Sequence, residues 1–399
     1  RGYVKCKMEL TKSRDKDFIL LDGGNGHELK QRGIITDGSF LAGVIANEKQ
    51  PVIVQAVHTD FCHSGCQVLT TNSFVAVPER VQRDIVKASC KSKSKNEDVS
   101  SPITSDDAVK ERTRQLIQAA VRCAKNVVHE ESKTQQCHRR HNPNNVRVAG
   151  TVPPLTECYV SSLVPHCANA LIPSYVFLLS TLMEEGVDVL LAETLSTERE
   201  GVAVIRALSE ILMTKPSNVS IPLWLSFTID DFAQPVLLRS GECLKGVLEK
   251  ILVEAKERNV PLEALGVNCA SPDAVTRAIG VVKAIIGQND IMTTLPALRI
   301  MVYANAFETT TSEWLSSSLE TKENTKHSAC DSCSGNVEPS TSSRNTRKKD
   351  YDEFGVILPE VYANYAAQWK KMGVSIIGGC CGCSPLHMKE VAIKLSLTE

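Results

Sequence analysis

Eight short apolar runs, rich in β-branched and aliphatic residues and closing on glycine or polar positions, recur along the chain. They predict eight strands. The first, Phe18 to Leu21, passes into Asp22-Gly23-Gly24-Asn25-Gly26, after which His27-Glu28-Leu29-Lys30 reads as the start of a helix. The others are Cys66 to Phe74, Arg147 to Val152, Val187 to Thr194, Pro222 to Thr228, Leu262 to Cys269, Leu298 to Asn305 and Val374 to Gly378. Between them the apolar spacing widens to that of a helix face, as over Pro51 to Ser64, Ala108 to Val128, Val202 to Met213, Leu244 to Glu257 and Pro272 to Ile286.

Strands alternating with helices, joined by crossovers long enough for parallel neighbours, point to an α/β chain folded as a (β/α)8 TIM barrel. An open doubly wound sheet is the alternative with the same alternation. Three polar stretches interrupt the pattern, at 91–107, at 130–145 and at 316–350, the last rich in Ser, Thr, Lys and Asn. None can build a core, so they read as mobile insertions on a single barrel domain spanning 17–395.

Composition narrows the partners. Lys and Arg number 45 against 46 Asp and Glu, and aromatics make up only 5% of the chain, so a basic groove with stacking platforms for nucleic acid is not expected. Small molecules are. The longest apolar runs, such as Val187 to Ala192, are too short for a bilayer, and Arg1 to Lys16 lacks the apolar centre of a leader, so a soluble, cytoplasmic protein without a membrane partner is expected. Fifteen cysteines, an odd number dispersed through a large chain, do not resemble the disulfide framework of a small secreted domain. Reduced thiols, some of them metal ligands, fit better.

The most distinctive thiols follow the eighth strand, in Ser375-Ile376-Ile377-Gly378-Gly379-Cys380-Cys381-Gly382-Cys383. Adjacent residues on a strand point to opposite faces, and Gly379 and Gly382 let the backbone leave the strand so that both thiols can face one ion. Alone, a Cys-Cys pair is more often two small buried hydrophobes. The barrel changes that weighting, because Cys269 ends strand six, and strands six and eight open onto the face that carries the active site in such folds. Three thiolates without a fourth protein ligand would leave one position of a zinc ion open, as in catalytic rather than structural sites.

Other clusters are weaker metal candidates. Cys330-x-x-Cys333 lies in a polar insertion without a second ligand pair, and Cys62-His63 with Cys66 falls on a predicted helix. Cys383 reads as a spare ligand or a packed thiol. At the first strand, Gly24-x-Gly26 suggests a dinucleotide loop, yet Leu29 stands where the third glycine is needed. Asp22 and the glycine amides suit the ammonium and carboxylate of an amino acid instead. Glu193 adds a carboxylate at the end of strand four, which could equally be paired with a nearby lysine.

Taken together these residues resemble the homocysteine S-methyltransferases, zinc-dependent barrel enzymes that include betaine-homocysteine methyltransferase and the homocysteine half of cobalamin-dependent methionine synthase. The resemblance runs from Leu20-Leu21-Asp22-Gly23-Gly24 through Glu193-Thr194 and Gly266-Val267-Asn268-Cys269 to Gly378-Gly379-Cys380-Cys381-Gly382. It implies that Cys269, Cys380 and Cys381 hold Zn2+ and activate a substrate thiol, and that Asp22 and Glu193 bind the substrate ammonium. Amides around Gly23 and Gly24 would take its carboxylate, and Asn268 belongs with the substrate-binding residues. The chain departs from the family where Cys383 replaces a threonine after Gly382, where strand seven reads Tyr303-Ala304-Asn305 rather than Tyr-Pro-Asn, and where Pro153-Pro154 replaces Gly-Pro.

The reaction so implied moves a methyl group from a sulfonium donor, S-methylmethionine or S-adenosylmethionine, to the zinc-bound thiolate of L-homocysteine, giving methionine. The remaining length holds no cobalamin or folate module. Betaine is the second donor reading. Its enzymes carry an aromatic residue after the strand-four glutamate, where this chain has Thr194, and a long C-terminal arm, where this sequence ends at Glu399. A zinc-binding barrel without turnover is a reading of another class, and hydride transfer at the Asp22 to Gly26 loop a further enzymatic one. Two carboxylates at the ends of strands one and four favour catalysis over a structural metal.

Overall fold

The computed structural model of the protein describes residues 18–34, 41–92, 105–134, 146–215, 220–288, 295, 298–313 and 349–397. Its strands are β1 (Ile19–Leu20), β2 (Val68–Thr70), β3 (Arg147–Val152), β4 (Val189–Leu195), β5 (Leu223–Phe227), β6 (Leu262–Asn268), β7 (Arg299–Ala304) and β8 (Ile376–Gly379). The helices of the first half are α1 (Asn25–Gln31), α2 (Ala42–Lys49), α3 (Pro51–His63), α4 (Pro78–Ser92), α5 (Asp106–Thr134) and α6 (Ile172–Glu184). Those of the second half are α7 (Glu198–Thr214), α8 (Leu244–Glu257), α9 (Pro272–Ile286), α10 (Pro359–Met372) and α11 (Pro385–Lys394).

All strands pair in parallel, in the order β1-β8-β7-β6-β5-β4-β3-β2. A parallel bridge between Leu21 and Val68, with the Gln67 amide donating to Leu20 O at 2.7 Å, joins the two ends of that order. The sheet is therefore an eight-stranded barrel, as expected, and not an open doubly wound sheet.

Alternation along each strand divides the core in two. Ile19, Leu21, Val68, Val189, Leu191, Trp224, Met301 and Ile376 fill the barrel interior. Their sequence neighbours, among them Leu20, Leu69, Leu190, Leu225, Val302 and Ile377, join the larger cluster packed against the helices. Burying so many aliphatic side chains at roughly 1.5–3 kcal/mol each is what drives closure.

At the N-terminal end of the barrel the β5–β6 register shifts between Leu223 and Trp224, leaving Glu263 without a β5 partner. Its carboxylate accepts from the Trp224 indole at 2.9 Å and lies 3.8 Å from both Arg147 and Arg299. The Arg147 guanidinium also stands 5.2 Å over the Trp224 ring.

Helix boundaries follow local chemistry. Helix α7 begins at Glu198, four residues before the expected start, because Thr197 and Glu200 form a reciprocal capping box. Helix α9 starts where the Ser271 hydroxyl accepts from the Ala274 amide, with Pro272 in the first turn. Helix α5 runs to Thr134, so residues 130–134, expected to open a polar insertion, complete a helix instead. The rest of that stretch, and most of those at 91–107 and 316–350, lie outside the described residues. No helix among the described residues is long and apolar enough to cross a membrane.

Candidate active site

Strand β6 ends at Asn268, and Cys269 follows with a left-handed backbone, φ 55°. That turn takes its thiol off the strand. Past β8, the Cys380 amide donates to Ala304 O at 2.8 Å and the Cys381 amide to Asn305 Oδ1 at 3.2 Å, while Cys381 O accepts from the Ala306 amide at 2.8 Å. The turn closes through Gly382, φ 82°, a conformation that favours glycine. These bonds fasten the cysteine loop to the end of β7.

The three sulfurs of Cys269, Cys380 and Cys381 lie within 4.8 Å of one another, with Cys269 and Cys381 3.8 Å apart. Among the described residues no other group of three His, Cys, Asp or Glu side chains converges in this way. Cys269 is buried, Cys380 half-buried and Cys381 exposed, so the cluster opens toward solvent at Cys381. Hydrogen bonds from Cys269 and Cys380 hold the Cys381 thiol well below its usual range. Cys380 is pushed up by its bonds to Cys269 and Cys381 and by burial. An all-sulfur set at this spacing, with no fourth ligand of those four kinds among the described residues, suits a tetrahedral zinc with one position free.

Two residues outside the sequence expectation touch this cluster. The Tyr159 hydroxyl lies 2.8 Å from Cys269 Sγ, on a residue with φ 69° in the loop after β3. Asn305 Oδ1 accepts from Cys269 Sγ at 3.3 Å as well as from the Cys381 amide, bridging two of the three cysteines. Asn305 closes the Tyr303-Ala304-Asn305 motif of strand seven, which is the signal that could have found it. Tyr159 sits in an irregular loop where neither periodicity nor spacing could single it out.

Asp22 follows β1 and is 1% exposed. Its carboxylate accepts from the Thr70 amide at 2.8 Å, from Thr70 Oγ1 at 3.0 and 3.1 Å, and from Asn25 Nδ2 at 3.2 Å. Burial nevertheless raises its pKa to about 7, those bonds opposing the rise. Glu193, half-buried within β4, is raised to about 8, first by burial and then by the charges of Asp22 and Cys381, against hydrogen bonds with Tyr303 and Thr151. Neither carboxylate has an ion pair with a described lysine or arginine. The lysine pairing considered for Glu193 is therefore absent among the described residues.

Asn268 is fully buried, and its side chain serves the protein itself. Its Oδ1 accepts from the Thr194 amide at 2.9 Å and from Ser226 Oγ at 2.8 Å, and its Nδ2 donates to Thr194 Oγ1 at 2.8 Å. Thr194 carries φ 61°, a strained value for a β-branched residue, and the Asn268 amide grips it at both backbone and side chain. Ser226 continues through Tyr303 at 2.7 Å toward Glu193. This placement lets Asn268 orient the end of β4.

At the glycine pair, one amide is already engaged. The Gly24 amide donates to Cys383 O at 2.8 Å instead of standing free for a carboxylate. A Cβ on Gly23 would lie 2.5 Å from Cys383 O and one on Gly24 2.6 Å from Cys380 O, so the glycines are needed for the close approach of two backbones. Cys383 is fully buried, its Sγ 3.5 Å from Ala304 O, and burial pushes its thiol up to about 12. It packs; it is not one of the converging sulfurs. Cys62 and Cys66 are buried, whereas His63 faces Glu131 at 3.1 Å, and Cys330 and Cys333 lie outside the described residues.

Known proteins share this architecture. Residues 19–395 match the family model described as homocysteine S-methyltransferase. The homocysteine S-methyltransferase of Escherichia coli is 24% identical over 93% of this chain and 93% of its own. Homocysteine S-methyltransferase 1 of Brassica oleracea is 23% identical over 94% and 92%, and a selenocysteine Se-methyltransferase of the same plant 22% over 95% and 89%. The crystal structure of the homocysteine methyltransferase from Escherichia coli in its metallated form superposes with a TM-score of 0.61 at 19% identity, over 95% of this chain and 96% of that one. At that identity the superposition establishes the barrel.

Proposed function

The chain belongs to the homocysteine S-methyltransferase family, and we propose on that premise that it transfers a methyl group from a sulfonium donor to the thiolate of L-homocysteine, giving methionine. The convergence of three cysteine sulfurs at an open end of the barrel, beside two carboxylates without a cationic partner, carries the reading. Zinc bound by Cys269, Cys380 and Cys381 would supply the positive charge that keeps a thiol at the open position deprotonated at neutral pH. The metallated form of the Escherichia coli relative supports a metal at such a site.

The chain's own residues then have distinct tasks. Asp22 and Glu193 take the substrate ammonium, whose arrival gives their raised pKa values a reason to return toward the ionised form. Thr70 and Asn25 aim Asp22; Tyr303 and Thr151 aim Glu193. Asn305 and the left-handed turn at Cys269 hold the cysteines in register. The rim at Cys381 admits the donor from solvent. In the transfer, the substrate sulfur forms the new bond to methyl as the donor's carbon–sulfur bond breaks, its electron pair neutralising the donor sulfonium. Alignment of the two sulfurs is the remaining catalytic requirement.

The test pairs metal analysis with a parallel donor assay. About one zinc per chain is expected, lost on Cys269→Ala or Cys380→Ala, with methionine formed from homocysteine by S-methylmethionine or S-adenosylmethionine and not by betaine. Full activity in a metal-free Cys381→Ala protein would sink the mechanism.

A further inference from the structure

We propose that Phe307 is a specificity-determining wall of the methyl-donor subsite, its aromatic ring selecting a cationic onium donor over the neutral thioether that remains after transfer. The proposal rests on the methyl-transfer reading above and adds to it the group that recognises the donor's charge.

The donor has to reach the cluster from its open side, and Cys381 is its exposed thiol. Phe307 stands there. Its Cε1 and Cζ atoms end 3.0 and 3.1 Å from where a Cβ on Gly382, the residue after Cys381, would lie. The ring is half-buried, and His27 meets it edge-to-face at 5.4 Å with the planes at 74°.

Backbone bonds on both sides fix its position. The Ala306 amide donates to Cys381 O at 2.8 Å, the Ile357 amide to Ala306 O at 2.7 Å and the Glu308 amide to Gly355 O at 2.8 Å. The loop bearing the aromatic ring is thereby tied to the loop bearing the exposed thiol, so the wall is built before any donor arrives.

The aromatic ring that touches Cys269 is already occupied. Tyr159 touches Cys269, and the Arg239 guanidinium already lies 5.9 Å over its ring. A second cation is better received at Phe307. A methyl sulfonium within about 6 Å of that ring would gain a cation–π attraction that the neutral thioether lacks. The same attraction vanishes on transfer, when the donor becomes neutral, which favours departure of the spent product.

Calorimetry on the zinc-loaded protein without homocysteine, so that no methyl transfer takes place during the titration, tests this, with S-methylmethionine as the cation and methionine as its neutral counterpart. In the unaltered protein the sulfonium should bind more tightly. Phe307→Leu should lower the ratio of the two affinities about tenfold, and Phe307→Tyr, which keeps the ring, should restore it. A ratio unmoved by Phe307→Leu, or an equal loss for both ligands, overturns the proposal. If the ratio falls as expected while the unaltered protein forms no methionine, the donor wall stands and the methyl-transfer reading fails. Methionine formation with an unmoved ratio leaves the methyl-transfer reading standing and removes the donor wall.

Discussion

Glu263 at one end of the barrel and Asp22 with Glu193 at the other meet charge in opposite ways. At the N-terminal end Glu263 finds Arg147, Arg299 and the Trp224 indole within the chain, so its charge is matched when the protein folds. At the C-terminal end Asp22 and Glu193 find hydroxyls, amides and each other, but no described cation. A buried carboxylate without a counter-charge is destabilising, and a chain that solves this at one end has no structural reason to leave it unsolved at the other. The difference separates an end built for stability from one that waits for a ligand's positive charge. The raised pKa values of Asp22 and Glu193 express that waiting.

Substitution at the C-terminal end should break the contrast most sharply. On the proposed reading, Glu193→Gln removes one partner of the substrate ammonium in a poorly solvated site, so kcat/KM for homocysteine should fall about 100-fold to 1,000-fold. Its melting temperature above about pH 8, where Glu193 is ionised, should hold or rise, because an unmatched charge has gone. An unchanged kcat/KM with a lowered melting temperature would mean that Glu193 is structural after all.

The pH dependence of stability gives the next largest effect, and its sign follows from the direction of the shifts. Asp22 and Glu193 titrate higher in the folded protein than in the unfolded chain, so the folded state holds more protons over the intervening range. Stability without substrate should therefore fall as pH rises, from about 4 to about 7 for Asp22 and from 4.5 to about 8 for Glu193. Each group contributes a slope of at most about 1.4 kcal/mol per pH unit. Denaturant midpoints should decline less steeply between about pH 4 and 7 in Asp22→Asn than in the unaltered protein, Glu193 keeping its own share of the slope; a decline of equal steepness in that variant would remove the assigned cause.

The barrel and its cysteine cluster are readable in the sequence because each depends on residues near strand ends. Strand order and the rule that all parallel strand ends share one face bring Cys269 beside Cys380 and Cys381, although 111 residues separate Cys269 from Cys380. What escapes such a reading is set by conformation rather than pattern. Tyr159 reaches Cys269 from an irregular loop with positive φ, a geometry that its neighbours in sequence do not announce. Asn268 lies in a recognisable motif, yet its work is to restrain Thr194, and the strain at Thr194 appears only in three dimensions. Gly24 reads in sequence as a free amide; backbone packing against Cys383 occupies it. Strands β1 and β2 are shorter than the runs that predict them, because Leu21 pairs only as an isolated bridge to Val68 and the chain leaves β2 through the polar residues Thr71, Asn72 and Ser73.

At the N-terminal end, Glu263→Gln should produce the reverse of the Glu193 result. It leaves Arg147 and Arg299 facing each other without their shared anion, at positions partly open to solvent. The expected loss is about 1–2 kcal/mol in denaturant unfolding, with kcat/KM for homocysteine little altered, since Glu263 lies at the end of the barrel remote from the cysteines. A large kinetic loss without loss of stability would end the division of labour between the two ends.

The smallest effect should come from within the cysteine loop itself, where Cys381 and Cys383 stand two residues apart. One is exposed and converges with two other sulfurs; the other is fully buried, its Cβ 2.3 Å from where a Cβ on Gly379 would lie. Cys383→Ala removes a single buried sulfur and should cost about 1 kcal/mol of stability, with the zinc content unchanged at about one per chain. Loss of bound zinc in a folded Cys383→Ala protein would show that the fourth thiol belongs to the metal site, and the open position on which the chemistry depends would then be filled by the protein.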